Sequence, residues 1–535
     1  MSDRKSKAAV KTQKLKSEKA EMPEIPLADL RPDLYIALVG AAGTDLNIVR
    51  RELRAQMAVV GYTVEHLKVS DLIKEVLDVK ATDDEFSRIK SLMAAGDVIR
   101  RCSENGDGVA ALVIAEIRRR RGADKQFRGS IAYVIDSIKN PAELDLLDKI
   151  YGKNLYTLSV YLSKEERLRN IAIKIARDRH EPPGKFHETM AQELIGDDEK
   201  GIGDHAQNVR ETFPLADYFI NSRSMLGNQI KRFVELVFGE PFTTPTLDEF
   251  HMFQARAAGY RSDDLSRQVG AIIVDTNGVI ASSGCNEVPY PGGGFFFEGR
   301  KGGPGDNRDH IKQIDPNYIE IQRSLIELIG VLKAARYIED EEDDAVIVDS
   351  LLQGHHKQLM SNARVRNIIE FGRIVHAEMH AICEAAAAGR SIRDGILYCT
   401  TFPCHVCARH IIAAGIKEVV YIEPYPKSLT AQLYVDEIEF AHEACDTWDG
   451  RIDGKVIFRP FHGTAPVLFQ RVFRYRPRKN RYGTIATWVP TEARPQGAAL
   501  SVERPLLEAS AANSVAAILK RAKEEYDGVA GEVSD

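Results

Sequence analysis

The sequence predicts an α/β protein of two main domains: a mainly parallel sheet covered by helices, then a compact α/β/α sandwich. Three observations predict it. At 535 residues the chain is longer than one ordinary core. In its first half, short apolar runs alternate with charged helical stretches, as in a sheet buried on both faces. In its second half, a hairpin signal precedes an alternation of helix, strand, helix and strand.

Composition narrows the function classes. With 44% apolar and 28% charged residues, global disorder and fibrous repeats are excluded. Basic residues number 72 against 78 acidic, a net charge of −6, so no chain-wide positive field exists to hold nucleic acid or an anionic membrane. No apolar run approaches the ~20 residues of a membrane helix, and MSDRKSKAAVKTQK lacks a secretory core. A cytoplasmic protein without a membrane partner is expected. Seven cysteines are odd and sparse for this length, which favours a metal or redox site at Cys404 and Cys407 over a disulfide framework.

Residues 1 to 29 carry six lysines from Lys5 to Lys19 and almost nothing apolar, and read as a basic tail. From Leu34, LYIALVG is a strand, Gly40 to Gly43 a turn, and the following amphipathic stretch a helix capped by Thr44 or Asp45, before a second strand. IAYVID, NLYTLSVYLS and ADYFINS are further strands, and KEERLRNIAIKIARDR a helix. This first domain is placed at 30 to 240, ending before GEPFTTPT. The second, at 247 to 490, opens with the helix DEFHMFQARAAGY and the strands QVGAIIVD and GVIASSGCN around the Thr276-Asn277-Gly278 turn. A glycine-rich, charged region with two helices runs to about 370. Then come the helix AEMHAICEAAAAGR, the strand GILYCTT, the helix CHVCARHIIAAG and the strand KEVVYIE, with Gly389 and Gly415 closing the helices. Residues 491 to 535 read as a loosely held tail with one helix, VAAILKRAKEEY.

The chemistry concentrates at two helix starts, His376-Ala377-Glu378 and Pro403-Cys404-His405-Val406-Cys407. Cysteines at i and i+3 on a first turn project to one side, with their thiolates favoured by the helix dipole. With His376 they make three ligands for zinc and leave a tetrahedral position open, as in catalytic sites that acidify water. No fourth structural ligand is apparent beside the pair. Glu378 sits near the metal without binding it, where it can take and deliver protons. H-x-E with P-C-x-x-C is the zinc deaminase signature. His380, Cys383, His405 and His410 lack nameable partners and read as core or surface residues.

RSDDLSRQVGAIIVD, GCNEVP, HAEMHAI and TTFPCHVCARHIIAAGIKEVVY resemble the deoxycytidylate deaminase family over roughly residues 248 to 425. The attached glycine-loop domain and IEPYPKSLTAQLYVDEI make the whole chain similar to the anti-phage dCTP deaminases, which join a P-loop kinase-like domain to a cytidine deaminase-like domain. The resemblance implies Zn2+, one per chain, on His376, Cys404 and Cys407, the proton shuttle on Glu378, and a deoxycytidine nucleotide, dCTP or dCMP, as substrate. It implies a sugar contact at Asn286, a further substrate contact at Ala377, and a homo-oligomer. Arg261, Lys427 and Arg474 are candidates for phosphate contacts.

Two other classes stay open: a nucleic-acid editing deaminase, for which RYRPRKNRY at 474 to 482 is the one basic, aromatic patch in the deaminase half, and a sensing switch with the deaminase as scaffold, against which the intact Glu378 argues. A housekeeping dCMP deaminase is the remaining alternative. In the first domain the turn lacks the lysine of a Walker A loop. Gly40, Gly43 and Thr44 can still hold a phosphate on backbone amides, with Asp136 organising Mg2+, or the turn is a tight connection without a ligand. Repression of the deaminase by this domain, through a nucleotide or an inhibitory RNA meeting the basic tail, is expected.

Overall fold

The computed structural model describes residues 31–80, 84–123, 130–199, 201, 205–299, 305–339, 342–360, 363–423, 428–441, 454–501 and 503–532. The basic tail and Lys427 lie outside them.

The first sheet is built from β1 (Leu34–Gly40), β2 (Thr63–Lys68), β3 (Ile131–Asp136), β4 (Leu155–Tyr161) and β5 (Tyr218–Asn221), all parallel in the order β2-β3-β1-β4-β5. Every residue of β1 is buried, which is why its sequence is a continuous apolar run rather than an alternating one. One face is covered by α2 (Val69–Leu77), α3 (Glu85–Cys102), α4 (Gly108–Ala123) and α5 (Pro141–Tyr151), and the other by α1 (Leu46–Val59) and α8 (Leu226–Val237). Asp45 is the N-cap of α1 and accepts from the Asn47 amide, one of the two capping residues expected. Between β4 and β5, α6 (Lys164–Asp178) and α7 (Lys185–Glu199) pack on each other near the glycine turn.

The second sheet contains β6 (Gly270–Val274), β7 (Ile280–Cys285), β8 (Ile396–Thr401), β9 (Glu418–Glu423), β10 (Ile438–Phe440) and β11 (Val456–Pro460) in the order β10-β11-β9-β8-β6-β7. The β6–β7 hairpin turns at Gly278, whose φ of +76° is the left-handed conformation that favours glycine. β6 pairs antiparallel with β8, and β8, β9, β11 and β10 run parallel to one another. α9 (Leu247–Gly259) packs on one face. The inserted region supplies α10 (Pro316–Ala334) and α11 (Asp344–Leu352), which bury their own small cluster around Leu325, Ile329 and Val348. On the other face lie α12 (Ala377–Ala387) and α13 (His405–Ala413).

The two halves are fused rather than strung on a linker. Past β11 the chain forms β12 (Gly463–Thr464), which pairs antiparallel with β5 and so extends the first sheet. Ala216 and Phe219 of the first half share one apolar cluster with Met252, Ile272, Tyr398 and Phe461 of the second. After α14 (Pro466–Val472) the chain returns to the first half and ends in α15 (Arg504–Glu532). There the structure differs from the loosely held tail read in the sequence. Val515, Ile518 and Ala522 are buried in the core with α3 and α4, and Glu508, almost fully buried, holds Arg121 at 2.8 Å. The apolar spacing of a helical stripe was present, but its partners lie about 400 residues upstream. No described helix is long and apolar enough to cross a membrane.

Candidate active site

The site forms where the starts of α12 and α13 meet over one face of the second sheet. His376 is the N-cap of α12 and Cys404 the N-cap of α13. Both therefore sit at the positive end of a helix dipole. Gly284 on β7 allows α12 to approach, since a Cβ there would lie 2.1 Å from the carbonyl oxygen of Ala377. The His376 Nδ1 atom is 3.3 Å from the Sγ atoms of both Cys404 and Cys407, and the Cys407 amide donates to Cys404 Sγ at 3.4 Å. One nitrogen and two sulfurs converge within 4.8 Å of one another.

The electrostatics suit a soft divalent cation. Hydrogen bonding to Cys407 and then to His376 brings the Cys404 thiol down to about 4 despite burial. The same contact with Cys404 raises His376 to about 9, while burial pushes the Cys407 thiol up. The three groups thus share protons that a cation would displace, and a two-thiolate, one-imidazole donor set fits zinc with a position left for water. Cys404→Ser is expected to cut the zinc content of the purified chain to a small fraction of the parent's one per chain, with helix content retained. Parental zinc in that variant would exclude Cys404 as a ligand.

Glu378 lies in the first turn of α12, 5% exposed, and burial shifts its carboxyl upward. His376, Ala377, Glu378, Cys404 and Asn286 all line one cavity of about 500 Å3. The Asn286 side chain also braces its rim: Oδ1 accepts from the Val269 amide and Nδ2 donates to the Arg267 carbonyl, both at 2.7 Å. Arg261 lies off the cavity lining; its guanidinium covers the Phe297 ring, and Nε donates to the Ala258 carbonyl at 3.3 Å. Arg476 and Arg478 of the basic patch donate to the Gly239 and Pro241 carbonyls, tying that segment to the end of the first half. Arg474 is absent from the cavity lining. His380 is a core residue as read, its Nδ1 accepting from the Cys285 amide at 3.1 Å.

Several lining residues escaped sequence reasoning. The insertion supplies a wall through Asp309, Asp315, Asn317 and Arg373, β8 and its end supply Thr401 and Phe402, and the first half contributes Arg210 and Glu211. Arg373, three residues before His376, had a local signal; Arg210, 166 residues before it, had none.

The glycine turn of the first half is occupied by its own chain. The Ala42 amide donates to Asp198 Oδ2 at 2.6 Å, and Lys139 Nζ bridges Asp198 at 2.8 Å and the Gly40 carbonyl at 2.7 Å. A Cβ on Gly43, whose φ is +91°, would lie 2.5 Å from the Arg167 carbonyl oxygen, so close packing of α6 alone demands glycine there. The Thr44 hydroxyl is buried without a hydrogen-bond partner among the described residues, and Asp136 faces Arg50 at 3.5 Å and His66 at 3.3 Å.

Residues 325–423 match the family model described as the cytidine and deoxycytidylate deaminase zinc-binding region, a span that contains all three metal ligands and Glu378. The deoxycytidylate deaminase of Enterobacteria phage T2 is 30% identical over 169 residues, 30% of this chain and 72% of that protein. The deoxycytidylate deaminase of Enterobacteria phage T4 is 46% identical over 54 residues, 10% of this chain and 28% of that protein, so it speaks only for a segment. Among solved structures, the apo dCMP deaminase of cyanophage S-TIM5 covers 41% of this chain and 99% of its own at 19% identity, with a TM-score of 0.20, too low to carry an argument. Because the T2 match runs over most of that enzyme, this chain belongs to the deoxycytidylate deaminase family and is a hydrolytic deaminase with a His376, Cys404, Cys407 zinc site.

Proposed function

We propose that the chain converts free deoxycytidine nucleotides, dCTP, dCMP or both, to the uracil nucleotides with release of ammonia. The observation that carries this reading is that two of the three metal donors, His376 and Cys404, line one cavity of about 500 Å3 together with Glu378, within the usual range for a small-molecule site. When bound, zinc supplies Lewis-acid activation of water. Glu378 takes one proton of the attacking water and delivers it to the ring nitrogen, then carries the second, from the new hydroxyl, to the departing amine. The water oxygen ends on the ring carbon as the carbon–nitrogen bond breaks and ammonia leaves. Asn286 and Ala377 are the proposed contacts to sugar and base at the cavity wall, where both are buried.

The resemblance of the whole chain to the anti-phage dCTP deaminases, carried by the attached glycine-turn domain and IEPYPKSLTAQLYVDEI, supports the further reading that the enzyme depletes dCTP as a defence against phage. The regulatory role of the first domain is part of that proposal, as is assembly into a homo-oligomer. The test is a substrate panel of deoxycytidine, dCMP, dCTP, CTP and a single-stranded oligonucleotide, read by ammonia release. Turnover of dCTP or dCMP at least about tenfold above the oligonucleotide is expected. Preference for the oligonucleotide overturns the reading in favour of polymer editing.

A further inference from the structure

The cavity that holds Glu378 draws three arginines into its lining, and their environments differ. Arg373 is spoken for: it donates to Asp309 at 2.6 Å and to the Asn307 carbonyl at 3.0 Å. Arg267 is more than half exposed and 3.9 Å from Glu423, a loose pairing. Arg210 is half-buried and, among the described residues, has neither a hydrogen bond nor an ion pair. Apart from Glu378, the carboxylates on the same lining are already engaged. Asp264 accepts from the Ser266 and Arg267 amides, Asp315 caps α10, Asp309 holds Arg373, and Glu211 accepts from Asn208 at 2.8 Å.

The backbone that presents Arg210 belongs to the first half and is pinned there. Val209 is buried in the core beneath the first sheet, the Asn208 amide donates to the Lys139 carbonyl at 2.8 Å, and the fully buried Thr212 donates to the Asn208 carbonyl at 2.7 Å. The following Phe213 packs into the apolar cluster shared by the two halves. On this fixed base Arg210 lines the deaminase cavity and also a second one, of about 180 Å3, beside Ala41 and Arg167 of the first half. A partly desolvated guanidinium without a partner is costly, and an arriving anion offsets that cost through charge-assisted, often bidentate, hydrogen bonds.

We propose that Arg210 binds the 5′-phosphate chain of the nucleotide, so that the first domain completes the substrate site of the deaminase within the same chain. This rests on the nucleotide reading above. It makes Arg210 a specificity-determining residue, since it acts on the phosphate rather than on the reacting ring. The first domain then contributes to recognition as well as to assembly, and any movement at the seam alters affinity before it alters chemistry.

The test uses the full zinc-loaded chain with Arg210→Ala, Arg210→Gln and Arg210→Lys. In the alanine and glutamine variants the nucleotide KM is expected to rise about 10- to 100-fold, the scale of one charged hydrogen-bonding contact, with kcat within about threefold. The ratio of nucleotide to deoxycytidine turnover at low substrate should fall by the same factor, with lysine restoring part of it. As a readout apart from turnover, calorimetric affinity for dCTP and for inorganic triphosphate in a Glu378→Ala background should fall in parallel. Nucleotide KM and affinity within twofold of the parent in either the alanine or the glutamine variant overturn the assignment of Arg210 alone. A parent that deaminates no free cytosine nucleotide overturns the nucleotide reading and this inference together.

Discussion

Glu378→Ala is expected to keep the parent's zinc content and to lose about 100- to 10,000-fold in turnover, the range associated with removing a positioned general acid and base. The separation of the two effects follows from the geometry. The three metal donors are His376, Cys404 and Cys407, converging within 4.8 Å, and none of them is altered. Glu378 follows His376 by two residues in the first turn of α12 and is 5% exposed in the same cavity, so its loss removes the proposed proton carrier while leaving the metal donors in place. Glu378→Gln keeps the shape and the packing and should lose nearly as much, which distinguishes proton transfer from support of the helix. Metal analysis and ammonia release on the same preparations give the two readings. Parental turnover in either variant would sink the proton-shuttle role.

The second large effect is on stability. Glu249→Ala is expected to destabilise the chain by about 3–5 kcal/mol, the cost of breaking a buried ion pair from one side. The Glu249 side chain is fully buried, and it has three partners. It completes the capping box of α9 with Thr246, pairs with Arg232 of α8, and accepts the Thr464 amide of β12 at 2.9 Å. Those partners come from both halves of the chain, so one carboxylate ties the start of the deaminase to the last helix of the first domain and to the strand that extends the first sheet. Lys231→Ala, on an exposed side chain of α8, is the comparison and should change stability by less than about 0.5 kcal/mol. Denaturant midpoints measure both. A loss below about 1 kcal/mol for Glu249→Ala would mean that the seam is held by its apolar cluster alone.

The metal site was legible because its geometry is local. Cys404 and Cys407 share one helical turn, His376 and Glu378 share another, and the spacing within each turn fixes which side chains point together. The strands were legible for a similar reason: LYIALVG and the ILYC of β8 are continuous apolar runs, and continuous runs belong to strands buried on both faces. The Gly43 position shows the limit of such reading. Its glycine suggested a phosphate turn, yet the backbone of Arg167, 124 residues later, packs against it and supplies a sufficient reason for glycine.

By itself, then, the sequence determined the two α/β architectures, the hairpin at Gly278, the zinc donors His376, Cys404 and Cys407, and the position of Glu378 beside them, all set by spacing within single elements. Only the tertiary structure decided that α15 belongs to the core of the first half, that β12 extends the first sheet, that the insertion walls the cavity with Asp309 and Arg373, and that Arg210 faces the same space as Glu378. Each of those is a pairing over a long stretch of chain. A pattern of apolar and polar residues states which face an element must bury or leave open, but not which distant surface covers it, because any complementary face satisfies the same hydrophobic demand.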